Sequence, residues 1–161
     1  MDTVYIETSI VSHASARPSS NPATAVLQVQ AKRWLTQEAQ KYDLVTSQFV
    51  IDEVSRGDPD AATERLELLE NVRVLVPDAA VEQIADEIIR RSLMPGNARL
   101  DALHVASAAV GGVEYLLTQN CRHIANATVL PRVYDLLEEL GLPRLLICTP
   151  AEFPGDPDNG S

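Results

Sequence analysis

The chain has 161 residues, of which 45% are hydrophobic and 22% charged, as expected for one globular domain with its own core. Its 23 acidic and 13 basic side chains give a formal net charge of −10, the opposite of a protein that coats nucleic acid through phosphate contacts. The sequence shows neither an apolar run of membrane-spanning length nor a signal-peptide pattern, and its two cysteines form no CxxC pair, so we expect a reduced cytoplasmic protein without a membrane partner.

The first predicted element is a short apolar strand over residues 3–7, which ends on the carboxylate of Glu7 and is followed by two hydroxyls. The residues between this strand and Pro22 are interpreted as a loop. The next helix is marked by apolar side chains that recur at helical spacing, Leu27, Ala31, Trp34 and Leu35.

Strands and helices then alternate along the rest of the chain. The remaining predicted strands are residues 42–47, 72–77, 113–118 and 144–149. The remaining predicted helices are residues 48–58, a helix with Ala62, Leu66 and Leu69 on its apolar face, a helix with Val81, Ile84, Ala85 and Ile88 on its apolar face, residues 98–110 with Asn97 as N-cap, and residues 130–140. This alternation predicts an α/β protein with a mostly parallel sheet that is covered on both faces, and ligands of such sheets lie beyond the carboxyl ends of the strands.

The last residues of the chain differ in composition from the rest. Residues 154–161 are rich in proline, glycine and aspartate, a composition typical of disordered termini. We therefore expect one folded domain over residues 1–150 and a disordered tail over residues 151–161.

Three acidic residues are candidates for a functional site. Glu7 ends an apolar strand, and few acids do so in a parallel sheet without a partner. Glu53 lies among apolar residues of a predicted helix, where a solvated helix acid is the simpler interpretation. Asp101 lies near the start of another helix, where it could serve either the helix dipole or a ligand. Their significance comes from the expectation that all three converge at one edge of the sheet.

Converging carboxylates repel one another unless a cation lies between them. Oxygen ligands without a histidine or cysteine cluster favour Mg²⁺ or Mn²⁺ over zinc. Such an ion binds phosphate oxygens and assists an in-line displacement at phosphorus. A divalent ion would therefore let this acidic protein cleave a polyanion.

Four segments of the chain resemble, in order and spacing, the motifs of the PIN-domain ribonucleases, and among them most closely the toxin subunits of VapBC-type toxin–antitoxin pairs. These segments are VYIETS, SQFVIDEVSRG, RLDALHVASAA and YLLTQNCRHIAN. The most specific part is Asp-x-x-His-x-Ala-x-Ala from Asp101, followed by Leu-Leu-Thr ending at Thr118. The resemblance covers residues 3–149.

The resemblance implies a three-layer α/β/α PIN-like domain with a five-stranded parallel sheet. It also implies a ribonuclease that hydrolyses phosphodiester bonds of single-stranded RNA with Mg²⁺ or Mn²⁺, leaves a 5′-phosphate and a 3′-hydroxyl, and is silenced by a cognate antitoxin. It favours a homodimer.

The same resemblance assigns the site residues. Glu7, Glu53 and Asp101 match the acidic metal ligands of the family, and Thr8 or Ser9 matches a hydroxyl that orients the first acid. Two further catalytic positions, the hydroxyl after the fourth strand and the usual fourth acid, fall on Thr118 and Asn120.

Three residues near these positions receive less specific interpretations. Ser9 and Arg122 are predicted to face the substrate, although a solvated loop residue is the simpler interpretation of Arg122. His104 is interpreted as a packed helix residue rather than a general base.

Two departures from the family pattern leave an alternative open. The first acid is Glu7 where aspartate is more usual, and Asn120 stands where an acid is usual, so one charge is lost. We expect a lower metal affinity from this loss, and a second metal is disfavoured. The alternative function is a PIN-fold binding module that holds RNA or a partner protein without cleaving it, and a phosphatase or DNA nuclease would share the same metal chemistry.

Overall fold

The structure, a computed structural model, describes residues 1–153. Five parallel strands form one sheet in the order β3-β2-β1-β4-β5. The strands are β1 (Thr3–Ile6), β2 (Asp43–Thr46), β3 (Arg73–Val74), β4 (Tyr115–Leu117) and β5 (Leu146–Cys148).

Within residues 1–153, seven α-helices connect and cover these strands. They are α1 (Thr8–Ser15), α2 (Pro22–Arg33), α3 (Gln48–Val54), α4 (Pro59–Leu68), α5 (Ala80–Arg90), α6 (Arg99–Val110) and α7 (Leu130–Glu139). A π-helical turn (Trp34–Glu38) and a 3₁₀ turn (Ala39–Lys41) extend α2. The predicted three-layer α/β/α arrangement with a five-stranded parallel sheet is confirmed.

The central strand β1 is buried on both faces. Val4, Tyr5 and Ile6 are each at most 1% exposed, although successive side chains of a strand point to opposite faces. The chain runs from β1 outward to β3 and then returns to place β4 on the other side of β1. The sheet therefore changes its winding direction between β1 and β4, and ligands of such sheets bind at this point.

The interpretation of the residues after β1 as a loop is wrong, since Thr8–Ser15 forms α1. Glu7 is its N-cap, with a side chain that accepts a hydrogen bond from the backbone N–H of Ser9. Ile10 and Val11 are fully buried, so the packing of these two side chains outweighs the weak helix preference of the neighbouring serines and threonine.

Other predicted element boundaries also differ, and α3, predicted over residues 48–58, ends at Val54. The third strand is predicted over residues 72–77, but in the structure β3 covers only Arg73–Val74, followed by a hydrogen bond from Leu75 N to Thr46 O. It is this short because its neighbour β2 ends at Thr46 and the chain then enters α3. Asn97 does not cap α6: it lies within a 3₁₀ turn (Gly96–Ala98), and the N-cap position is Ala98, without a side-chain hydrogen bond.

The described chain continues beyond residue 150. Pro150–Glu152 forms a 3₁₀ turn closed by a capping box between Thr149 and Glu152, and Phe153 packs against Tyr115 with their ring centroids 4.7 Å apart. Residues 151–153 of the predicted tail thus take part in this turn and this ring contact, and the rest of that tail, residues 154–161, lies outside the described residues. Among the helices of residues 1–153, none combines the length and the apolar character needed to cross a bilayer.

Candidate metal and catalytic site

The predicted site residues gather where the sheet changes its winding direction. Glu7 directly follows β1 and Thr118 directly follows β4, and the two strands remain paired up to this point through a hydrogen bond from Glu7 N to Leu117 O of 3.2 Å. The carboxyl ends of β1 and β4 thus place a carboxylate and a hydroxyl side by side.

Glu7 is held by three donors and is only 4% exposed. The hydroxyls of Ser9 (2.5 Å) and Thr118 both donate to its Oε1 atom. The backbone N–H of Ser9 donates to Oε2 at 3.1 Å. Because both hydroxyls converge on Oε1, the second lone pair of Oε2 remains for another partner.

The segment that follows β4 fixes these two hydroxyls in turn. The backbone N–H of Gln119 donates to Ser9 Oγ at 2.8 Å, and that of Asn120 donates to Thr118 Oγ1 at 3.0 Å. A hydroxyl that accepts from a backbone N–H is free to direct its own proton elsewhere. Both protons therefore point at Glu7, and the carboxylate is oriented by the first turn of α1 and by the segment that follows β4.

Glu53 lies on α3, facing the same edge of the sheet, with 31% of its side chain exposed. Its Oε1 atom accepts hydrogen bonds from the Thr8 hydroxyl and from His104 Nε2, the latter at 3.1 Å. Burial alone would raise the pKa of Glu53, but the hydrogen bonds from His104 and Thr8 outweigh it and hold this pKa below its usual value. The site thus keeps Glu53 ionised.

A chain of buried polar groups lies behind Glu53. His104, which is 0% exposed, contacts the Tyr5 hydroxyl through Nδ1 at 3.0 Å, and the same hydroxyl contacts Ser47 Oγ at 2.6 Å. Burial raises the pKa of Tyr5 far above its usual value, so this hydroxyl stays protonated. The interpretation of His104 as a packed helix residue agrees with its burial, and the structure adds two polar partners.

Among residues 1–153, Glu7, Glu53 and His104 form a group whose potential ligand atoms all lie within 4.8 Å of one another. Asp101, the third predicted ligand, lies outside this group. It is one turn before His104 on the same face of α6. The structure thus brings two of the three predicted acids together and places the third on the neighbouring helix turn.

Asp101 and Asn120 are both engaged with His123. Asp101 Oδ2 contacts His123 Nδ1 at 2.8 Å, and Asn120 Oδ1 accepts from the backbone N–H of His123 at 3.0 Å. The side-chain oxygen of Asn120, predicted to replace a fourth acid, therefore caps the turn that carries His123. This turn connects the segment after β4 to α6.

The two predicted substrate contacts have different surroundings. The Ser9 hydroxyl donates to Glu7 and accepts from the backbone N–H of Gln119, so its observed contacts are those of a group that orients Glu7. Arg122 is exposed in the turn after β4, and its carbonyl accepts from Asn126 Nδ2 at 2.9 Å. Contact of either residue with a substrate stays a prediction.

Sequence reasoning missed the roles of Tyr5, Ser47, His104 and His123. One signal was available for Tyr5: it stands two residues before Glu7 on an extended strand, and such residues face the same side. The partners of His104 are 99 and 51 residues away in sequence, so no local pattern connects them.

The family model of the PIN domain matches residues 4–128 of this chain. No curated protein sequence matches this chain.

Three solved structures of low sequence identity share its fold. VapC20 of Mycobacterium tuberculosis, described as a toxin that cleaves the sarcin-ricin loop, is 20% identical with a TM-score of 0.59 over 77% of this chain and 95% of that one. VapBC2 of Rickettsia felis, bound to a DNA fragment from its promoter, is 16% identical with a TM-score of 0.56 over 91% and 98% of the two chains. VapBC-1 of nontypeable Haemophilus influenzae is 15% identical with a TM-score of 0.53 over 92% and 98%.

Proposed function

This chain belongs to the PIN domain family, and from that membership we propose that it is a metal-dependent endoribonuclease, the toxin of a toxin–antitoxin pair. The observation that carries the proposal is the approach of Glu7 and Glu53 within 4.8 Å at the point where the sheet changes its winding direction. Two carboxylates so close, one almost fully buried and one held ionised, favour a bound cation.

The donor atoms suit a hard divalent ion. Glu7 Oε2 has one hydrogen-bond partner among the described residues, and Glu53 accepts its two recorded bonds on Oε1, so each carboxylate keeps an oxygen lone pair for a metal. We propose that these two acids and Asp101 hold one Mg²⁺ or Mn²⁺. A bound ion of this kind supplies positive charge to the phosphate oxygens and lowers the pKa of the attacking water.

The remaining residues of the site orient the acids. Ser9 and Thr118 hold Glu7, Thr8 holds Glu53, and Asn120 shapes the turn that presents His123 to Asp101. We propose that Arg122, exposed in the same turn, contacts an RNA phosphate.

Two partner assignments belong to this proposal. Two of the similar structures are VapBC proteins, and the third is described as a toxin that cleaves the sarcin-ricin loop, which supports an antitoxin partner and an RNA substrate here. A homodimer is proposed from the resemblance in sequence.

The decisive experiment measures cleavage of single-stranded RNA by the purified protein with Mn²⁺ and with a chelator. We expect cleavage only with the metal, and a loss of about 100-fold or more in Glu53→Gln and in Asp101→Asn. Glu64→Gln is the matched control, because this exposed acid of α4 gives the same change in charge away from the site. Full activity of Asp101→Asn would refute the proposed ligand set.

A binding module without catalysis is the second candidate, and one observation favours it. Asn120 supplies no fourth negative charge, and its side-chain oxygen is used by the backbone of His123. Calorimetry with Mn²⁺ separates the two functions: metal binding together with cleavage supports the nuclease, whereas RNA binding without either supports the module. Single-stranded DNA and a small phosphomonoester are tested beside RNA, because preferential cleavage of either one would indicate a DNA nuclease or a phosphatase instead.

A further inference from the structure

We infer that Tyr5 and His104 are positioning residues that hold the Glu53 carboxylate in place from the protein interior, and that His104 is not itself a metal ligand. The consequence for metal binding rests on the proposed function. The hydrogen-bonded chain from Ser47 to Glu53 is formed by protein groups alone, so it can be tested separately from metal binding.

The contacts link Ser47, Tyr5, His104 and Glu53 into one continuous hydrogen-bonded chain. Ionised Glu53 only accepts, so His104 Nε2–H donates to it across 3.1 Å. In the tautomer with its proton on Nε2, Nδ1 has a lone pair, which accepts from the Tyr5 hydroxyl at 3.0 Å. The Tyr5 oxygen accepts in turn from Ser47, whose own oxygen receives the backbone N–H of Val50 at 3.4 Å.

This arrangement explains why His104 lies near the two acids without binding a metal. A histidine ligand needs a free nitrogen lone pair. The Nδ1 lone pair is occupied by Tyr5, and Nε2 presents its proton to Glu53. His104 is also 0% exposed, so it cannot turn its ring towards the site without opening the core.

The hydrogen-bonded chain contacts α3 near both of its ends and so restricts the orientation of this helix. Ser47 is the N-cap of this helix, and Glu53 lies near its other end. Both ends are thereby tied to the pair formed by Tyr5 on β1 and His104 on α6. The rotation of α3, and with it the direction of the Glu53 carboxylate, is set by the sheet and the neighbouring helix.

The first test uses the metal-free protein. In long-range ¹⁵N–¹H NMR spectra of histidine-labelled protein, we expect a proton on Nε2 of His104, where it faces Glu53. In Tyr5→Phe the donor to Nδ1 is gone, and we expect the His104 signals to shift. A wild-type His104 without a proton on Nε2 would overturn the inference.

The second test compares Mn²⁺ affinity by calorimetry in two variants of similar polarity. His104→Gln places an amide nitrogen near the former Nε2 position and keeps the donor to Glu53, whereas His104→Asn reaches only the Nδ1 position. We expect the affinity to fall by about 10-fold or more in His104→Asn and by less than about threefold in His104→Gln. Equal affinity in His104→Asn and the wild type would contradict the inference.

Tyr5→Phe provides a variant of nearly unchanged volume if either His104 variant fails to fold. It should weaken Mn²⁺ binding by about threefold to tenfold. Tyr42→Phe, at the opposite edge of the sheet, should leave the affinity unchanged. Absence of Mn²⁺ binding in the wild type, with the Nε2–H tautomer present, would refute the proposed metal site and still support the positioning of Glu53.

Discussion

Glu7 and Glu53 lie at the same edge of the sheet, but different groups hold them. Glu7 is held by the hydroxyl and the backbone N–H of Ser9 at the start of α1 and by the Thr118 hydroxyl just after β4. Glu53 is held by a hydroxyl and an imidazole that belongs to the core. A change in the core can therefore reach Glu53, whereas Glu7 depends on the two chain segments beside it.

The lowered pKa of Glu53 predicts a specific acid sensitivity of the metal-free protein. Because this pKa lies below its ordinary value of 4.5 in the folded state, the ionised carboxylate stabilises the fold above about pH 4.5. That contribution is lost as the pH falls through the lower, folded-state pKa. We expect the free energy of unfolding, measured with urea in a chelating buffer, to fall more steeply below pH 4.5 in the wild type than in Glu53→Gln. Glu64→Gln should keep the wild-type slope, and identical slopes in all three proteins would contradict this expectation.

At the residue scale, the sequence predicted acids more reliably than it predicted their partners. Glu7 could be identified because an acid that ends a buried strand is unusual, and the sequence left open whether Thr8 or Ser9 orients it. In the structure the Ser9 hydroxyl donates a hydrogen bond to Glu7, while the Thr8 hydroxyl donates to Glu53 on another helix. Such contacts depend on how helices pack, which local spacing does not encode.

Among the helices and strands, α6 is the element whose position most strongly determines where the polar residues of the site lie. Its residues 102–109 are all buried, so the helix is enclosed on every side, and both Asp101 and His104 depend on its placement. The glycines beside it differ in conformation: Gly112, just after its end, has φ of +68°, whereas Gly96, in the turn before it, lies outside the left-handed region and has open space around it.

These two glycines predict opposite effects of the same substitution. Gly112→Ala should lower the free energy of unfolding by about 1 kcal/mol, because a Cβ disfavours positive φ. Gly96→Ala should be neutral or stabilise by up to about 1 kcal/mol, since alanine restricts the unfolded chain and meets no neighbour here. Chemical denaturation measures both, and a larger loss in Gly96→Ala than in Gly112→Ala would contradict the assignment.

The limits of prediction at the element scale are seen in α1 and β3. The strand–helix alternation predicted the parallel sheet, because buried apolar strands such as β1 need partners on both sides. The alternation did not predict α1, because the polar residues of this segment favour a loop. The segment is helical because Ile10 and Val11 pack in the core, which the sequence does not show. The alternation overextended β3, because an apolar run does not show where its neighbour β2 ends.

At the scale of the whole molecule, the carboxyl ends and the amino ends of the strands carry different kinds of residues. The carboxyl edge carries the polar site, while the amino edge is closed by aromatic rings. Phe153 lies 4.7 Å from Tyr115, 5.1 Å from Tyr42 and 5.9 Å from Trp34 between ring centroids. Phe153 therefore packs against the residues at the starts of β2 and β4.

This separation predicts that stability can be lost without loss of the site. Phe153→Ala should lower the free energy of unfolding by about 2 kcal/mol, because a partly buried ring and its aromatic contacts are removed. Mn²⁺ affinity at a temperature where the variant is folded should remain that of the wild type. Phe153→Leu, which keeps much of the apolar area, should lose less stability, and a weakened Mn²⁺ affinity in either variant would show that the two edges are coupled.

The three donors on Glu7 also have an entropic consequence. A glutamate has one more rotatable bond than an aspartate, and a free glutamate loses that freedom when it binds an ion. Ser9 and Thr118 impose this loss during folding, when the core supplies the compensating free energy. A ligand ordered in advance costs less at the moment of binding, so the longer side chain at this position need not weaken the site.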